Sequence, residues 1–178
     1  MNIEELIAAS RWAEARTAIR GQLKAKPDSH WLLTRLGSTY YGQRKYGEAL
    51  KYSERALQLA PECPLVLWDL ACTLQMLEGY KSAISLFRWL AGWDLKQLAE
   101  RPCGEGRAWA RGLQADSFYR LSQCYDAQGR RSAADRAFVK HLDLRGPGCR
   151  SIYPLQELRQ NRRSFRNSGA RRRGPTKG

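Results

Sequence analysis

The 178-residue chain carries 31 Lys and Arg against 17 Asp and Glu, a formal charge of +14, and 43% of it is hydrophobic. A chain this apolar can offset its ordering entropy, which excludes a wholly disordered polymer. No apolar run approaches the roughly 20 residues that a bilayer demands, so no membrane-spanning segment is expected. The charge is uneven. The last twenty residues, from Arg159 onward, hold +8 with no acid, leaving +6 on residues 1–158.

In chain order, the acidic start Met1-Asn2-Ile3-Glu4-Glu5 has no basic region followed by a long apolar segment, so no secretory signal is read there. The five cysteines make an odd count with no CxxC spacing, which points to a reducing, cytoplasmic setting. His30 and His141 are far apart in sequence and neither adjoins a cysteine pair, so no metal and no cofactor are expected. Residues 2–29 read as a half repeat, with a short helix over Asn2–Ser10 and a second helix carrying Trp12, Ala15 and Ile19. Three segments then align with one another. They are Leu33-x2-Leu36-Gly37-x2-Tyr40 with Ala49 and Ala56; Leu67-x2-Leu70-Ala71-x2-Leu74 with Ala83 and Phe87; and Phe118-x2-Leu121-Ser122-x2-Tyr125 with Ala134 and Phe138.

The physics behind the pattern is local. Large residues at i, i+3 and i+7 with a small one at i+4 give a helix face that a neighbour can approach closely. Turns are expected at Gly42–Lys45, Glu78-Gly79 and Gln128–Arg130, where glycine can supply a left-handed cap. A helix pair of this length cannot bury its apolar stripe alone and has to stack on the next pair.

At these residues the chain resembles the tetratricopeptide repeat (TPR) family, whose pattern is a large residue, L-G-x2-Y, A-x3-F and then P. The resemblance covers about residues 2–148, with repeats at 30–63, 64–97 and 115–148, and Ser53 stands in the Phe slot of the first. It implies an all-α fold, an α-solenoid of stacked antiparallel helix pairs forming a TPR-like superhelix over residues 1–158. The second repeat lacks its closing Pro, so its last helix is expected to run on. Residues 98–114 are an insertion broken by Pro102, Gly104 and Gly106, with Trp109 tucked back against the stack. A capping helix is expected at about 151–165, and residues 166–178 form a disordered Arg-rich tail.

No phosphate loop, HExxH or GxSxG motif is present, and the carboxylates are scattered singly, so neither an enzyme nor a small-molecule substrate is expected. In the resembled family the first helix of each pair lines a concave groove. Helical phase puts Trp31, Thr34, Ser38 and Tyr41, then Trp68, Cys72, Gln75 and Met76, then Tyr119 and Gln123 on that stripe. Each aromatic there can equally serve as inter-helix packing. The family's chaperone-tail clamp needs Lys, Asn and Arg, whereas here Thr34, Ser38 and Asp69 stand in those places and only Arg120 suits an anion. The expected function is therefore a protein-binding adaptor or chaperone that takes a peptide or helix in the groove. Two alternatives stand beside it. Arg159, Arg162, Arg163, Arg166, Arg171, Arg172 and Arg173 suit RNA, a ribosome or another anionic surface. Three repeats in a small chain also resemble the bacterial type III secretion chaperones.

Overall fold

The computed structural model describes residues 1–153, and within them the only regular elements are nine helices. Four antiparallel pairs form the stack: α1 (Ile3–Ala8) with α2 (Trp12–Ala25), α3 (His30–Gly42) with α4 (Tyr46–Leu59), α5 (Pro64–Met76) with α6 (Tyr80–Gly92), and α8 (Arg107–Ala127) with α9 (Arg131–Leu144). The short α7 (Leu95–Glu100) lies between the third and fourth pairs. The first helices touch in the order α1, α3, α5, α8 and so build one continuous face.

Local chemistry starts these helices. Asn2 and Glu5 form a capping box on α1, the Ser29 side chain accepts from the Leu32 amide at α3, and Pro64 opens α5. Between paired helices the chain needs one left-handed residue, two positions before the second helix begins. Ser10, Arg44, Glu78 and Gly129 hold that place, at intervals of 34, 34 and 51 residues. Glycine fills it only at Gly129. Gly42 is instead the last residue of α3, pressed by the Trp12 ring where a Cβ would clash, and Gly79 caps α6 with φ of −71°.

The core follows the repeat. Leu33, Ala49, Ala56, Ala71, Ala83 and Phe87 are buried, and a Cβ on Gly37 would meet the Ala49 carbonyl at 3.4 Å, so α3 and α4 pack closely. Ser53 is buried in the slot where Phe87 and Phe138 stand in later repeats. The missing aromatic area is supplied by Tyr52, stacked on Tyr40 with centroids 5.4 Å apart.

One expectation is corrected here. α6 does not run on: it stops at Gly92, Trp93 is extended, and the Asp94 carboxylate caps α7 by accepting from the Lys96 and Gln97 amides at 2.8 and 3.1 Å. The capping helix expected at about 151–165 lies outside the described residues from 154 onward, and residues 151–153 are not helical. The insertion does break at residues 101–106, but its second half becomes the first two turns of α8. There Ala110 and Leu113 join Leu90 and Leu98 in the main core, with Trp109 packed against them. No described helix is long and apolar enough to cross a membrane.

Candidate functional site

After α9 the chain turns at Gly146–Gly148 and comes back across α8. Gly112 makes this possible, because a Cβ there would clash with the Arg150 carbonyl. The Arg150 amide donates to the Ala108 carbonyl at 3.2 Å, and Arg111 Nε donates to the Leu144 carbonyl at 2.9 Å. Asp116, nearly fully buried, accepts from the Ile152 amide at 2.9 Å and from the Ser151 hydroxyl. Burial raises the Asp116 carboxyl above its ordinary value, opposed by the Ser151 and Ile152 bonds and by Arg145 and Arg120. Arg145 in turn donates to Ser151 Oγ and the Tyr153 carbonyl. Residues 145–153 thus form a strap held by buried polar groups.

The strap ends on the face built by the first helices. The Tyr153 ring lies 4.5 Å from that of Tyr119, and its hydroxyl accepts from Arg120 Nε at 2.6 Å. The same guanidinium donates to Gln75 Oε1 and to Tyr41 Oη, both at 3.3 Å, and Gln75 Nε2 donates to Gln123 Oε1 at 3.2 Å. One cation therefore gathers side chains from α3, α5 and α8. An α3 side chain can reach one on α8 only if the helix row curves, so this face is concave. The Tyr153 phenol is raised well above its ordinary value by burial and stays neutral.

The expected groove residues separate into two groups. Trp31, Ser38, Tyr41, Trp68, Gln75 and Gln123 are half-buried on the face, and Met76 is 40% exposed. Trp68 is shared with the core, edge-on to Phe87 at 5.5 Å. Thr34, Cys72 and Tyr119 correct the expectation of an open surface. Thr34 is buried and donates to the His30 carbonyl, while Cys72 is buried with its thiol pushed up to about 12 by desolvation. Tyr119 is 8% exposed, covered by Tyr153 on one side and packed on Phe138 and His141. Next to the open part, Asp69 accepts from the Ser38 hydroxyl at 2.9 Å. Burial pushes its carboxyl up to about 6, against the pull of Arg35 and that hydroxyl. The seven arginines of the tail lie outside the described residues.

Sequence reasoning missed Arg120 as the organiser, Asp116 as the strap's acceptor, and the strap itself. It also kept the histidines apart from the cysteines. Folding instead places His30 Nε2 3.2 Å from Cys103 Sγ, with Cys63 beside both.

The likeness to known proteins is one of fold. Residues 31–63 match the family model for the tetratricopeptide repeat. Among solved structures, the MamA RS-1 ArsTM double mutant superposes with a TM-score of 0.62 at 16% identity, covering 80% of this chain and 71% of that one. MamA 41-end from Desulfovibrio magneticus RS-1 gives a TM-score of 0.47 at 15% identity, over 80% of this chain and 90% of that one. No curated protein matches the chain. Residues 31–63 are thus a tetratricopeptide repeat, set in a chain with the α-solenoid fold that such repeats build.

Proposed function

We propose that this chain is a non-catalytic adaptor whose concave face holds an extended segment of a partner protein. The observation that supports it is the seat taken by Ser151–Tyr153. Three non-helical residues are held there by a backbone amide that donates to Asp116 and a phenol lodged between Tyr119 and Arg120. A side chain that accepts from the peptide's backbone, beside a pocket for an aromatic anchor, is a recurring way of recognising a peptide segment. The rest of the face, carried by Trp31, Ser38, Tyr41, Trp68, Gln75, Met76 and Gln123, offers aromatic, apolar and uncharged polar groups to a longer segment. A chaperone role for the same partner would use the same surface.

Affinity capture with the full chain tests this reading. Protein partners are expected to survive nuclease treatment and removal of the chain beyond Glu157, and to be lost on Arg120→Ala with helicity intact. If truncation and nuclease treatment each abolish recovery, while Arg120→Ala leaves it unchanged, the groove reading fails in favour of nucleic acid bound by the tail.

A further inference from the structure

Three ligand-bearing side chains far apart in sequence meet at one end of the stack. His30 is the first residue of α3, Cys63 is the N-cap of α5, and Cys103 sits in the 101–106 turn between α7 and α8. Their donor atoms, His30 Nε2, Cys63 Sγ and Cys103 Sγ, all lie within 4.8 Å of one another, and the His30–Cys103 separation is 3.2 Å. We propose that this cluster is a Cys2His site for Zn2+, with water in the fourth position.

The geometry fits the ion. Zn–S bonds of about 2.3 Å and Zn–N bonds of about 2.0 Å at tetrahedral angles put donor atoms roughly 3.5 to 3.8 Å apart, which small side-chain shifts reach from these positions. Two thiolates and one neutral imidazole suit a borderline-soft d10 cation, whereas hard cations prefer oxygen. Charge also balances. On binding, Cys63 and Cys103 each release a proton to solvent, and Zn2+ with two thiolates is neutral, so a site in which Cys63 is buried carries no uncompensated charge. The half-buried His30 and Cys103 leave a side from which solvent can reach the ion.

The surroundings hold the ligands in register independently of any ion. Arg101 Nη1 reaches the Glu62 carboxylate at 2.8 Å and stacks on the Trp93 ring at 3.6 Å, while Cys63 Sγ donates to the Pro102 carbonyl at 3.3 Å. The residue before each cysteine is thus clamped to the other strand of chain. Cys103 itself takes φ of +61°, a conformation that side-chain-bearing residues rarely adopt. The next residue is Gly104, where a Cβ would strike the Ala99 carbonyl. The turn is built tightly, and it aims a cysteine at a cysteine and a histidine.

The test is a titration of the metal-stripped, fully reduced full chain with Co2+ and then Zn2+. One equivalent of Co2+ is expected to give the intense visible bands of a tetrahedral site and a thiolate charge-transfer band, both displaced by Zn2+. Cys103→Ser and His30→Ala are each expected to weaken binding by at least about tenfold, while Cys149→Ser, outside the cluster, binds like the parent chain. Should Cys63→Ser fail to fold, those two variants, at half-buried positions and checked by circular dichroism, still decide the matter. The proposal is overturned if the parent chain takes up no stoichiometric metal, or if Cys103→Ser binds as tightly. It is equally overturned if Cys63 and Cys103 are found only as a disulfide and their reduced form takes up no metal.

Discussion

The first half of the stack and the last third are built by different means. From α3 to α6 the left-handed turn residue and the small residues at the close approach recur at an interval of 34, Gly37 with Ala71 and Ala49 with Ala83, and packing between neighbours holds the pairs. From α7 onward the same solenoid is continued by irregular pieces. These are a two-turn extension of α8, a tight turn at 101–106 and a strap that folds back over Gly112. Polar contacts hold those irregular pieces in place: Asp116 with Ser151 and Ile152, Arg120 with Tyr153, and Arg101 with Glu62. Apolar repetition gives the molecule its length, and specific hydrogen bonds at the interruption give it a place to hold chain.

If the insertion is core and not ornament, the two regions should respond alike to loss of volume. Phe87→Ala in the regular part is expected to cost about 3 to 5 kcal/mol, and Leu98→Ala in α7 about 2 to 4 kcal/mol, by urea denaturation. Both side chains are fully buried in one cluster. A cost below about 1 kcal/mol at Leu98 would break the comparison and make α7 a loosely attached element.

Asp69 sharpens it on the regular side, where a desolvated carboxyl accepts from the Ser38 hydroxyl. Its carboxyl is raised from 3.8 to about 6, so the folded chain holds that proton more tightly than the unfolded one. Stability from this group is therefore full below about pH 4, drains away as pH rises to about 6, and stays lost at neutrality. Asp69→Asn keeps an oxygen for Ser38 and is expected to stabilise the chain at pH 7 by on the order of 1 to 2 kcal/mol, the partly open face tempering the full shift. Melting curves from pH 4 to 7.5 check this. A variant with the parent's pH profile would show that Asp69 carries no such cost.

The smallest expected effect lies in the turns. Glu78 and Gly129 hold the same left-handed place in successive repeats, with φ of 61° and 73°. Glu78→Gly is expected to stabilise by about 0.5 to 1 kcal/mol, and Gly129→Ala to destabilise by about 1 kcal/mol, in thermal melts. Equal and opposite shifts would confirm that the turn is one device used twice. A loss at Glu78→Gly would show that glycine's entropy outweighs the relief of strain there.

What the sequence made legible divides along the same line. The helix faces and the break at Pro102–Gly106 follow from patterns within a dozen residues, and the repeat register and stacked pairs from the recurrence of those patterns at 34 and 51 residues. The end of α6 had a readable signal in Asp94, an N-cap residue before Leu95, that the missing proline overshadowed. The strap had none, because residues 145–153 lack a hydrophobic period and owe their path to Asp116 and Gly112, more than 30 positions earlier. The groove stripe was placed by helical phase, but phase does not say which of its members another part of the chain covers, and Tyr119 is covered by Tyr153. His30 and Cys103 meet across 73 residues, a distance over which no spacing rule operates.

The central claim is that the concave face recognises extended polypeptide. Its most direct test is binding in trans of a labelled peptide with the sequence of residues 145–153 to a chain ending at Leu144, followed by fluorescence anisotropy. Saturable binding is predicted, weakened at least about tenfold by Arg120→Ala, because the buried phenol of Tyr153 then loses its hydrogen-bond partner while the Ile152 amide keeps Asp116. If the shortened chain keeps its helicity and yet binds no peptide, or binds it equally well without Arg120, the face is not a polypeptide-binding groove.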